Sequence, residues 1–380
     1  MSAPKPIILK KLSKLLGVII MGVIFLSCET KKKDTNTVTM EVDSQQVFEL
    51  PDSLSSRRIC FALNLRELVA QQYWKAFNDR AVEGAFNYFN RDKSEIFFPS
   101  TQVLGKLENY TKYSPDYITG PRTDSIPYHF ELMISFDSSD SSKIYFDHPI
   151  QQFLSVEETG DYIPSVKSSE MWTTMVLHEM FHHFQYNNPA FIKYAKQEIT
   201  SLPYDPRDLQ KLCREDQNFF EMIQLENDYL LKAIGEQDVG KRNLLLNSYL
   251  QARLLRIERY REKYPYLEKV ENYYCTQEGS ARYMEYKSMK VLNVLANQAN
   301  SPSIAADSLF QGYREFKEFD LNKEEFSYLT YAGPSNYHYT IGFNLMRLLD
   351  VLEVDYKHSL LSKPEKALHQ YLQEYMGALD

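Results

Sequence analysis

The stretch "SSEMWTTMVLHEMFHHFQY", residues 168–186, is where the sequence changes character. From here to the C-terminus apolar residues recur at helical spacing, with long stretches near 169–186, 208–235, 241–262, 267–298, 337–353 and 364–378. The strand signals all lie upstream. "SEIFFPS" offers Ile96, Phe97 and Phe98. "YHFELMISFDSSDSSKIYFDHP" reads as strand, polar turn and strand, with Phe130, Leu132, Ile134 and Phe136 alternating before the loop and Ile144 and Phe146 after it. Further upstream, residues 58–90 carry the helix-like spacing of Leu63, Leu65, Leu68, Val69, Tyr73, Trp74 and Phe77. Strands placed before helices predict an α+β fold, because βαβ units would interleave them. The expected architecture is a small antiparallel sheet in the N-terminal half, followed by a mainly helical C-terminal half.

The chain has 380 residues, 43% of them apolar, and a formal net charge of −8. That balance argues against a nucleic-acid partner, since phosphate binding needs a concentrated excess of Lys and Arg. At the N-terminus Lys5, Lys10, Lys11 and Lys14 precede the apolar run "LLGVIIMGVIFL", residues 15–26. A membrane-spanning helix needs roughly 20 apolar residues, so the shorter run reads as the core of a signal peptide. Its end, "FLSC", resembles a bacterial lipobox. The resemblance implies removal of residues 1–27, lipid on Cys28, and a protein exported across the inner membrane and lipid-anchored in the bacterial cell envelope. Residues 28–50 are then expected as a flexible tether. An N-terminal α+β part is expected over 51–167 and a helical part over 168–380. Cys60, Cys213 and Cys275 form no CxxC pair and read as buried free thiols. The sequence has no glycine-rich phosphate loop and no GxSxG elbow.

Within the opening stretch, His178, Glu179, Met180, Phe181 and His182 spell HExxH. Residues i and i+4 share one helix face, so both imidazoles can reach one ion with Glu179 beside them. The alternative is an amphipathic core helix whose histidines are satisfied by hydrogen bonds. It would have to bury a carboxylate and two imidazoles together without a metal, which is costly. His183 lies about 100° round the helix from His182 and points away from such an ion. A catalytic zinc usually takes three protein ligands. The metzincin continuation fails, because Gln185 stands at its glycine position and Asn188 at its last histidine. Downstream, Glu271, Glu278 and Glu285 are seven apart and share a helix face, so periodicity alone does not choose among them. Gly279 favours Glu278, since a residue without a side chain beside the ligand would let its helix approach the HExxH helix.

The segment "TQEGSARYMEY" around Glu278 resembles the EGxAxY motif of gluzincin metallopeptidases, in which a glutamate on a later helix completes HExxH. The resemblance implies zinc held by His178, His182 and Glu278, and Glu179 as general base acting on a zinc-activated water to hydrolyse a peptide bond. The clan's late tyrosine favours Tyr339, in "PSNYHYTIGFNLMRLLD", as donor to the oxyanion. The GxMEN motif of aminopeptidases is absent, so the clan's chemistry is implied without aminopeptidase specificity. With "LENDYLLKAI", "ARLLRIER" and "YTIGFNLMRLLD", the whole pattern looks like a bacterial lipoprotein family of predicted metallopeptidases. The expected partners are a peptide or protein substrate and a membrane reached through the lipid anchor. A strand near 143–147 is expected to offer an edge to an extended peptide. Arg282 is expected in an i,i+4 pair with Glu278, and Arg253 and Arg256 with acidic neighbours in the bundle. The rival reading is a noncatalytic envelope lipoprotein, a binding module with a vestigial or structural metal site. Glu179 favours the enzyme, because a structural site does not need it.

Overall fold

The computed structural model describes residues 37–42, 46–78, 84–99, 109–122, 130–133, 150–204, 206–298 and 302–378. The expected signal peptide and Cys28 lie outside them. Eight strands are described: β1 Thr37–Val42, β2 Gln46–Pro51, β3 Phe86–Phe89, β4 Lys93–Phe97, β5 Thr111–Ser114, β6 Tyr117–Pro121, β7 Phe130–Met133 and β8 Ile150–Leu154. Strands β1 and β2 pair as an antiparallel hairpin. The other six form one sheet in the order β5-β6-β4-β3-β8-β7. All its pairings are antiparallel except β3 with β8, so the sheet expected as antiparallel is mixed. Position explains the parallel pair: β8 enters far along the chain from β3 and closes over its free edge, with no hairpin to dictate direction.

Two expected boundaries shift. The tether expected over 28–50 gives way to strand before Pro51. Phe48 and Leu50 are buried, Ser114 Oγ donates to the Glu49 carbonyl at 2.5 Å, and Asp116 accepts from Glu49 N at 3.0 Å. The helical pattern expected to 90 stops earlier, and β3 occupies the end of that stretch. A tight turn sets β3 against β4, its Asn90 side chain accepting from the backbone of Asp92 and Lys93, each at 2.9 Å. Of the strand pair expected over 128–149, β7 is described. Ile134, Phe136 and the strand near 143–147 lie outside the described residues.

Eight described helices have ten or more residues: α1 Leu54–Tyr73, α2 Ser169–Tyr186, α3 Pro206–Glu215, α4 Gln217–Gly235, α5 Val239–Tyr260, α6 Leu267–Ala296, α7 Tyr337–Val351 and α8 Leu368–Gly377. The fold is α+β, as the order of signals predicts. The stretch expected as one helix over 208–235 is split at Asp216, whose side chain caps α4 by accepting from Phe219 N. No helix of the described residues is long and apolar enough to cross a membrane. Cys60, Cys213 and Cys275 are buried.

Helix α2 is fixed at its N-terminal end. Ser168 caps it by accepting from Met171 N, and the Glu170 carboxylate accepts from the backbone of Gln311 and Tyr313. Trp172 Nε1 donates to Leu154 O at the end of β8, 2.9 Å away. Val176, Leu177, Met180 and Phe181 are buried, each contributing about 1.5–3 kcal/mol relative to exposure. The 30-residue α6 packs against α1, α2 and α7. At its crossing with α7, a Cβ on Gly279 would lie 2.5 Å from Gly342 Cα. Gly279 therefore permits close approach of α7, and not of α2 as the sequence suggests; the motif glycine serves the opposite side of its helix.

Candidate metal centre

His178 and His182 extend from one face of α2 toward Glu278 on α6. One ligand atom from each of the three lies within 4.8 Å of the other two, an arrangement that could hold a metal ion. Glu278 Oε2 is 3.1 Å from His182 Nε2 and 3.6 Å from His178 Nε2. Bonds of ~2.0–2.2 Å at tetrahedral angles separate ligand atoms by about 3.3–3.6 Å, so the two distances from Glu278 are close to those a small divalent ion requires. Glu278 is the member of the Glu271, Glu278 and Glu285 series that reaches both Nε2 atoms. Glu271 is engaged elsewhere, and Glu285 meets the other ring nitrogen of His178.

Hydrogen bonds behind the histidines fix their tautomers. Gln185 Nε2 donates to Gln277 O at 2.9 Å and to Ser280 Oγ at 2.8 Å. The amide nitrogen is thereby identified, since an oxygen there would face a carbonyl. Gln185 Oε1, 2.8 Å from His182 Nδ1, must accept from it. In the neutral ring Nε2 of His182 is then the nitrogen with the lone pair; when protonated it donates to the Glu278 carboxylate 3.1 Å away. His178 follows the same logic with a carboxylate: Nδ1 is 3.3 Å from Glu285 Oε2. Both rings thus present Nε2 to one point, and each is oriented by a partner on its other nitrogen, the arrangement metal-binding histidines require.

The charge balance points the same way. Burial disfavours protonation of His178, but hydrogen bonds to Glu278 and Glu285 outweigh it and push its pKa up to about 10. His182 is raised too: burial opposes its charge and the Glu278 carboxylate prevails. Glu278 is held well below the ordinary carboxylate range, burial being overcome by the two histidines. Three carboxylates around two imidazoles create a demand for positive charge, and protons or a metal ion can meet it.

Glu179 is half-buried and near enough to His178, His182 and Tyr339 to raise the pKa of each. Tyr339, at the start of α7, lies with its ring 6.2 Å from that of His178, nearly parallel to it. The Glu278 charge, then burial, drive its phenol pKa upward, so it stays protonated and able to donate. All five expected site residues within the described part, Tyr339 among them, therefore meet in one place. His183 is buried away from them, its ring packed where a Cβ on Gly84 would stand.

Arg282 does not form the expected i,i+4 pair with Glu278. Its Nη1 donates to Tyr328 O at 3.1 Å and Thr340 Oγ1 at 3.0 Å, and its guanidinium lies 4.7 Å from the centre of the Tyr339 ring. Arg253 and Arg256 do meet acidic neighbours, Glu268 for the first and Glu226 and Glu271 for the second. The sequence reading missed Gln185 and Glu285 as orienting groups. Gln185 was visible as a departure from one metal motif, and Glu285 as a rival ligand seven residues from Glu278. In comparison with known proteins, no protein-family model matches the chain, and no curated protein or solved structure does either.

Proposed function

We propose that the chain is a zinc-dependent hydrolase of peptide bonds, of gluzincin type, held in the bacterial envelope by lipid on Cys28. One observation carries the reading: two histidines with their Nε2 atoms directed toward Glu278, with Glu179 and Tyr339 beside them. Bound zinc supplies Lewis acidity there and makes water acidic enough to lose a proton near neutral pH. His178, His182 and Glu278 would hold it. Glu179 takes the proton from water and returns it to the leaving amine, and the Tyr339 hydroxyl donates to the oxygen that gains charge at the cleaved carbonyl. Among the described residues β7 is the sheet strand at the edge beside β8, under α2, and it offers an extended peptide backbone partners. A noncatalytic binding module would use the same ligands but would have no work for Glu179.

The test is Glu179→Gln. It should retain zinc, because all three ligands remain, while digestion of a peptide library falls by ~10²–10⁴. Equal digestion by wild type and variant, or none by either at full metal loading, would favour the binding module. For the anchor, Cys28→Ser should abolish partition into detergent; unchanged partition and mass would remove the lipoprotein reading.

A further inference from the structure

The site has an outer support that neither motif contains. Glu285 uses one oxygen, Oε2, toward His178 Nδ1 at 3.3 Å. Its other oxygen, Oε1, accepts from the hydroxyl of Tyr328 at 2.5 Å. Tyr328 belongs to the short helix Ser327–Thr330, in the segment joining α6 to α7. It is itself secured at both ends: its carbonyl accepts from Arg282 Nη1 at 3.1 Å, and its ring lies 5.8 Å under the same guanidinium. Arg282 in turn stands one turn from Glu278 on α6, so the support returns to the helix that carries the third ligand.

A glutamate side chain has three rotatable bonds, and an unrestrained Glu285 could turn its carboxylate away from His178. A charge-assisted O–H···O⁻ bond of this length is among the stronger kinds. It fixes the plane of the carboxylate and leaves one oxygen for the imidazole. We infer that Tyr328 is a positioning residue for the metal centre: by holding Glu285 against His178, it sets how tightly His178 binds the ion. This rests on the metal reading of His178, His182 and Glu278, and is independent of whether the site cuts peptides. It makes the segment between α6 and α7 part of the metal site, although it contributes no ligand.

Tyr328→Phe removes one hydroxyl and keeps the ring under Arg282. Zinc affinity is measured on the purified soluble part by competition with a chromophoric chelator, alongside thermal melting of the metal-free protein. We expect a dissociation constant about tenfold weaker, the lower end of what lost outer-shell partners cost. The same substitution in a Glu285→Gln background should add almost nothing, because its effect passes through that carboxylate. A hydroxyl that only stabilised the fold would lower the melting temperature and leave zinc affinity alone. Wild-type affinity in Tyr328→Phe, or an effect of equal size in the Glu285→Gln background, overturns the inference. Failure of the wild-type protein to bind zinc overturns the metal reading and the inference with it.

Discussion

Glu271 and Glu278 stand two turns apart on one face of α6, and the chain neutralises them by different means. Glu271 meets Arg256 through two bonds of 2.8 Å and accepts from the Tyr337 hydroxyl at 3.2 Å. The same guanidinium grips Glu226 at 2.6 and 2.9 Å. Glu271 is held below its usual pKa, burial being overcome by Arg256, and every contact is a donor meeting an acceptor. Nothing is left over for a ligand. Glu278 faces two imidazoles instead, and imidazole, unlike guanidinium, keeps a lone pair. The same residue type, on the same face of the same helix, is a structural ion pair in one place and a candidate metal ligand in the other. The partner's chemistry decides which.

The comparison can be broken at either end. The largest effect is expected from Arg256→Leu, which leaves Glu226 and Glu271 buried with Arg253, 4.0 Å from Glu271, as their remaining counter-charge, and should cost about 3–5 kcal/mol in denaturant unfolding of the metal-free protein. A loss below about 1 kcal/mol would show that water reaches the pair and that burial is overstated. At the other end, Glu278→Ala should weaken zinc binding by more than ~100-fold, or about 2.7 kcal/mol, exceeding the loss typical of outer-shell partners. Glu271→Ala should do the reverse, lowering stability while retaining one ion per chain. Full zinc affinity in Glu278→Ala would refute its assignment and with it the comparison.

A third residue lies between the two clusters and sharpens the contrast. His338 is buried and neither ring nitrogen has a hydrogen-bond partner among the described residues. Burial, helped by Arg282, outweighs the charges of Glu278 and Glu271 and lowers its pKa from 6.5 to about 4. Between those values the unfolded chain binds the proton and the folded chain does not. Stability is therefore full above about pH 6.5 and lost as pH falls toward 4. Between pH 8 and pH 5 the loss from this group should be about 2 kcal/mol. His338→Phe should flatten that part of the pH–stability curve; an unchanged acid slope would mean that His338 finds a partner when protonated. A histidine with no carboxylate in bonding reach stays neutral, whereas His178, bonded to two, is driven toward its charged form.

Much of the site was legible because helical periodicity converts spacing into direction. His178 and His182 at i and i+4 had to share a face, and Glu278 within EGxAxY is the glutamate of its series that reaches both Nε2 atoms. Glu285 was not legible in its role, since its partner His178 comes from another helix and only the packing of α2 on α6 brings the pair within 3.3 Å. Gln185 meets His182 within α2, but its amide is oriented by Gln277 and Ser280 across the same packing. Gly279 misled for the same reason. A small residue announces a close approach, but sequence does not say which neighbour approaches, and here it is α7.

At the scale of the fold, the order of strand and helix signals by itself determined the α+β class, because local patterning sets the type of each element. It also determined that two imidazoles lie on one face of α2 with Glu179 beside them, a property of a single helix. The parallel pairing of β3 with β8, the separate fates of Glu271 and Glu278, and the support of Glu285 by Tyr328 were decided only in three dimensions. Each depends on contacts between residues far apart in the chain, and one chain's local pattern carries no record of which distant partner will complete a hydrogen bond or neutralise a charge.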